Sequence, residues 1–210
     1  MSLTRPPHPG EAGRARVNTT PPLPPAMTTH DGDRLVIDLE TQHTFEEVGG
    51  RDRLEALKVS VLGLYSYAAD RFQIYRESDL KDLELVLGRA SLIIGFNLRR
   101  FDYPVLSPYL PLPFERLPTL DLLEEVTNAL GHRVSLDSLA DATLGAKKSG
   151  HGLDAIKYYR AGEFERLSDY CLTDVRLTRD LYEFGAQHGE LYYSKAGQRQ
   201  RVPVSWGTLL

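Results

Sequence analysis

Four acidic residues and one tyrosine, in three short clusters, are the side chains of this sequence best suited to chemistry. Leu35-Val36-Ile37-Asp38-Leu39-Glu40-Thr41 closes an apolar run with two carboxylates two residues apart. Gly95-Phe96-Asn97-Leu98-Arg99-Arg100-Phe101-Asp102 adds a third carboxylate, and Tyr170-Cys171-Leu172-Thr173-Asp174 a fourth, with a phenol one helical turn before it. Carboxylate oxygens are the ligands that Mg²⁺ and Mn²⁺ prefer. Four of them gathered in one place would hold two ions roughly 3.5–4 Å apart, the arrangement that cleaves phosphodiesters. The chemistry implied is metal-dependent hydrolysis of a nucleic-acid backbone.

The elements that would position these groups can be read from the pattern around them. Asp38 and Glu40 are i and i+2 in a strand-length run, Arg34–Glu40, so their side chains leave the same face. Lys58–Tyr67 alternates as a strand, and Arg71–Tyr75 is its hairpin partner. A helix is expected from an N-cap at Ser78 to about Gly88, then a buried strand over Ser91–Gly95 leading to Asp102. Pro108, Pro111, Pro113 and Pro118 break up the segment after Asp102. Short helices are expected at Asp121–Leu130, Ser135–Leu144 and Leu153–Ala161, and a long one from Glu163 to about Phe184. On that helix Tyr170 and Asp174 share a face, offset from the stripe of Phe164, Leu167, Cys171, Val175 and Tyr182 that should pack on a sheet. A hairpin turning at Ala196-Gly197 closes the chain. The expected architecture is α/β, a mixed sheet in which an antiparallel meander is followed by parallel strands, flanked by helices.

Taken singly, each cluster has an ordinary explanation: acids at a strand end, an aspartate favoured by a helix N-terminus, a tyrosine at a core edge. Their weight comes from occurring together. The 210 residues, 41% hydrophobic and 26% charged, are ordinary for a globular protein. One cysteine excludes an internal disulfide, and no apolar stretch approaches the roughly 20 residues of a membrane span, so a cytoplasmic protein without membrane contact is expected. The net charge of -4 does not exclude a nucleic-acid partner. Two divalent ions would neutralise four acids, and gripping a chain end needs few phosphate contacts. Residues 1–30 are rich in proline and lack hydrophobic period, so a disordered tail is expected there and one domain over 31–210. Met27, just before the regular pattern, offers a second start. The segment Gly145–Gly152 carries three glycines with Lys147, Lys148 and His151; it is either a solvated connector or a loop that closes on substrate phosphates.

In order and spacing the three clusters resemble the exonuclease motifs of the DEDD superfamily, whose fold is ribonuclease H-like. Asp38-Leu39-Glu40-Thr41 is similar to motif I, Gly95–Leu106 (GFNLRRFDYPVL) to motif II and Tyr170–Leu177 (YCLTDVRL) to motif III. The likeness runs to the 3′–5′ exonuclease domain of family B DNA polymerases and to stand-alone YprB-like exonucleases. Tyr170, four residues before the last aspartate, matches the DEDDy branch; the DEDDh branch has a histidine where this chain has Asp169. The resemblance implies a 3′–5′ exonuclease that takes single-stranded ends, DNA ahead of RNA, and releases nucleoside 5′-monophosphates. It implies two Mg²⁺ or Mn²⁺ ions on Asp38, Glu40, Asp102 and Asp174, with Tyr170 orienting the attacking water. Thr41, Asn97, Phe101, Lys147 and Lys148 are the expected substrate contacts, and Phe96, Phe101 or Tyr103 would stack on bases. A separate polymerase, helicase or repair protein is the kind of partner implied. An endonuclease or ribonuclease on the same fold and a non-catalytic nucleic-acid-binding module remain alternatives; the presence of all four acids and the tyrosine argues against the latter.

Overall fold

Alternation along the first strand decides the architecture. In the computed structural model, which describes residues 32–146 and 152–206, β1 (Arg34–Thr41) sends Leu35, Ile37 and Leu39 into one core and Val36 into another on the opposite face. β1 is therefore buried on both sides and takes the middle of a five-stranded sheet ordered β3-β2-β1-β4-β5. β2 (Val59–Ser66) and β3 (Arg71–Arg76) form the antiparallel meander, while β4 (Leu92–Gly95) and β5 (Thr119–Asp121) run parallel to β1. The mixed α/β sheet expected from the sequence is the one observed.

Helices cover both faces. α1 (Leu83–Gly88) and α2 (Asp102–Leu106) bury Leu83, Leu87, Val105 and Leu106 against the Leu35–Ile37–Leu39 side. α3 (Leu122–Leu130), α4 (Leu136–Leu144), α5 (Gly152–Ala161) and α6 (Phe164–His188) come next along the chain. α6 lies across the other face, with Leu167, Cys171, Val175 and Tyr182 buried as their spacing required. The chain ends in a two-stranded hairpin, β6 (Glu190–Lys195) and β7 (Gln198–Pro203), turning at Ala196-Gly197 with positive φ at both positions. Thr143 and Ser138 on α4 tie β6 down: Tyr192 N–H donates to Thr143 Oγ1 (2.9 Å) and Ser194 N–H to Ser138 Oγ (3.0 Å). Among the described residues, no helix is long and apolar enough to cross a membrane.

Three local expectations are corrected. The helix placed at Ser78–Gly88 begins as a 3₁₀ segment, Glu77–Asp82, and Ser78 is not its cap; the Asp79 carboxylate accepts the Arg76 N–H instead (3.3 Å). β5 is absent from the sequence reading, because three residues are too few to show a period. Its last residue, Asp121, precedes α3 as N-cap instead of opening the helix. α6 also runs a turn further than expected, stopping at a left-handed Gly189. The proline-rich residues 1–30 lie outside the described residues.

Candidate active site

The pleat of β1 turns Asp38 and Glu40 away from the Leu35–Ile37–Leu39 core and towards α6. On α6 the four-residue spacing of Tyr170 and Asp174 brings both to the same place, each only 4% exposed. Asp38, Glu40 and Asp174 each present a carboxylate oxygen within 4.8 Å of the other two. Adjacent ligand oxygens of one octahedral Mg²⁺ stand about 3.0 Å apart and opposite ones about 4.2 Å, so a divalent ion would draw the three carboxylates closer together. The charge of this cluster is felt beneath it. Cys171 Sγ lies 3.5 Å from the Asp38 carbonyl oxygen and 4.0 Å from its Oδ2. Burial, then the carboxylates of Asp38, Glu40 and Asp174, push this thiol well above its usual range.

Asp102 arrives by a different route. The parallel pairing of β1 with β4 ends at Val36–Ile94, which leaves the Leu39 amide needing another acceptor. Asp102 Oδ1, at the start of α2, accepts that N–H at 3.2 Å. The turn that delivers it is organised by Asp121, whose Oδ1 accepts from Asn97 N–H (2.8 Å) and whose Oδ2 accepts from Arg99 N–H (3.2 Å). The same carboxylate caps α3 through Leu123 N–H (3.1 Å). Asp102 is 2% exposed, and burial first, the negative charge of Asp121 second, push its carboxyl up to about 8. A buried acid held near neutrality takes up positive charge readily, since a cation removes the reason for its protonation.

All four acids and Tyr170 line one cavity of about 390 Å³. Phe45, Leu57, Phe96, Phe101, Leu153 and Ile156 give it an apolar wall, and Thr41, His43 and Thr44 a polar edge. His43, Thr44 and Phe45 come from the segment between β1 and β2. That loop is braced by Arg160 on α5, whose Nη2 donates to both carboxylate oxygens of Glu47 (2.7 and 2.6 Å). Phe45 meets Phe101 edge to face at 6.1 Å, and the Arg51 guanidinium lies over Phe45 at 4.7 Å.

Of the expected substrate contacts, Thr41 and Phe101 line this cavity. Asn97 does not; it occupies a left-handed turn and its Oδ1 accepts from Arg133 Nη2 (2.8 Å). Tyr103 is buried, packed on Phe114 with its hydroxyl 2.7 Å from Thr119 Oγ1, and so is no stacking surface. Lys147 and Lys148 lie outside the described residues. Sequence reasoning passed over Asp121 and Phe45. An aspartate directly before Leu122-Leu123-Glu124-Glu125 is an N-cap signal, but its hold on the Asn97–Arg99 turn shows only in three dimensions.

Comparison with known proteins bears on the fold. The model of the RNase H superfamily matches residues 37–184. No curated protein matches in sequence. The family B DNA polymerase of the hyperthermophilic archaeon Pyrobaculum calidifontis superposes with a TM-score of 0.57 at 21% identity, over 77% of this chain and 25% of that one. Trypanosoma brucei RNase D superposes with a TM-score of 0.50 at 18% identity, over 72% of this chain and 56% of the other. The chain thus spans a quarter of the polymerase and just over half of RNase D.

Proposed function

This chain belongs to the RNase H superfamily, and we propose that within it the protein acts as a metal-dependent 3′–5′ exonuclease on single-stranded nucleic-acid ends, DNA ahead of RNA. The observation that carries the reading is the convergence of Asp38, Glu40 and Asp174 within 4.8 Å at one end of a cavity that Asp102 and Tyr170 also line. A fold of this family alone would not specify a reaction.

Asp38, Glu40 and Asp174 would hold one divalent ion, and Asp38 with Asp102 a second. When bound, Mg²⁺ or Mn²⁺ supplies the positive charge that offsets charge developing on a phosphate and makes water more acidic. The protein's own groups do the rest. Tyr170, set one turn from Asp174 on a rigid helix, lines the cavity where its hydroxyl can orient the attacking water; a phenol keeps its proton at neutral pH and serves as orienter. Phe45, Phe101, Leu153 and Ile156 offer an apolar wall on which a splayed terminal base can lie. The cavity volume suits one nucleotide, which favours a chain end over a continuous duplex.

Linear and circular single-stranded DNA of one sequence, with a matched linear RNA, test this in Mg²⁺ and Mn²⁺. The expected result is stepwise loss of the linear DNA, slower loss of the RNA and survival of the circle. Rapid cutting of the circle would make the protein an endonuclease.

A further inference from the structure

We propose that Gly63 is a positioning residue for the metal centre: it sets the depth at which α6 seats on the sheet, and so the reach of Asp174 and Tyr170 to Asp38. The inference rests on the metal centre proposed for Asp38, Glu40 and Asp174. Gly63 lies directly opposite Asp38 in the β1–β2 register. By strand alternation its missing side chain faces α6, as those of Val61 and Tyr65 do. A Cβ added there would stand 2.8 Å from Val175 Cγ2, 3.0 Å from Cys171 Sγ and 3.4 Å from Leu172 Cδ2. Cys171 and Leu172 come directly after Tyr170 on the helix, and Val175 directly after Asp174.

The glycine is not needed for backbone conformation. Gly63 has no positive φ and sits in regular strand, where glycine is disfavoured. What requires it is the close approach of the helix. Nor can the neighbours yield easily: Cys171 and Val175 are both fully buried in a packed interior, which passes displacement on instead of absorbing it. A shift of α6 by several tenths of an ångström would be carried to the Asp174 carboxylate, while metal ligands tolerate about 0.2 Å. The sheet side of the contact also carries Asp38, so the two halves of the metal centre would part.

The test is Mn²⁺ binding to the full chain without substrate, read by electron paramagnetic resonance of free Mn²⁺. Gly63→Ala should weaken Mn²⁺ binding about 10- to 100-fold, the scale for groups that support metal ligands. Adding Val175→Ala, which removes the nearest obstructing carbon, should restore most of the affinity. Gly185→Ala is the control: it lies on the same helix, and its Cβ would meet the Trp206 ring at 2.4 Å, about three turns from Asp174. It should lower the unfolding midpoint and leave Mn²⁺ affinity of the folded protein unchanged. Normal Mn²⁺ binding by folded Gly63→Ala, or equal losses in both glycine variants, would overturn the inference. Should Gly63→Ala not fold, Val175→Ile presses the same contact from the helix side, with the same opposed outcomes. If the unsubstituted chain itself binds no Mn²⁺, the metal centre falls, and this inference with it.

Discussion

Replacing Asp102 by asparagine should flatten the pH dependence of folding. The Asp102 carboxyl is 2% exposed, and burial, then the charge of Asp121, raise it from an ordinary 3.8 to about 8 against the opposing Leu39 N–H. The metal-free folded chain therefore keeps a proton that the unfolded chain releases. Below about pH 4 both states hold the proton, and through the window up to about pH 8 stability falls as pH rises. Each pH unit in that window costs the folded state at most about 1.4 kcal/mol. Between pH 5.5 and 7.5 the ceiling is about 2.7 kcal/mol, a large part of a typical folding free energy. Asparagine keeps an oxygen for the Leu39 N–H and has nothing to titrate. Urea unfolding in a chelating buffer at the two pH values should show a drop for the unsubstituted chain and a much smaller one for Asp102→Asn. Saturating Mg²⁺ should offset part of the drop, because a cation favours the ionised carboxylate. If Asp102→Asn kept the full difference between the two pH values, the assignment of a buried, protonated Asp102 would be refuted.

Asp38→Asn or Asp174→Asn should lower cleavage by several orders of magnitude, with a metal-free unfolding midpoint unchanged or raised, since one charge leaves a crowded acidic cluster; near-normal turnover of Asp38→Asn in Mg²⁺ would contradict the assigned site. Tyr170→Phe keeps the ring in its buried seat and removes one hydroxyl. Turnover should fall about 10- to 1000-fold while Mn²⁺ affinity is retained, and unchanged turnover would return the residue to the core. Phe45→Ala deletes a cavity wall and the contact with Phe101. Its effect should appear as oligonucleotide affinity weakened about 5- to 150-fold, the span of about 1–3 kcal/mol for one stacked base, measured by anisotropy in Ca²⁺; equal affinity would place the base elsewhere.

Much of the site was legible because two periods carry it. A period of two put Asp38 and Glu40 on one face of β1, and a period of four put Tyr170 and Asp174 on one face of α6. Neither depends on distant contacts. What the sequence concealed depends on them entirely. β5 is three residues long and exists because β4 supplies its pairing partner. Asn97 and Tyr103, plausible substrate contacts by type, are claimed by Arg133 and Thr119, which lie 36 and 16 residues away along the chain. Ser78 lies inside the 3₁₀ segment that begins after Arg76, whose N–H is accepted by the Asp79 carboxylate. The segment between β1 and β2 shows no period, and its place in the cavity wall depends on contacts remote in sequence, Phe45 with Phe101 and Glu47 with Arg160.

Digestion of one single-stranded DNA, labelled either at its 5′ or its 3′ end, in Mg²⁺ or Mn²⁺, tests the central claim most directly. The 3′ label should leave in the first turnover as a nucleoside 5′-monophosphate, while the 5′-labelled strand shortens one nucleotide at a time, and Asp174→Asn should abolish both. Internal fragments from the outset, release of the 5′ label first, or cleavage that survives in Asp174→Asn would contradict it.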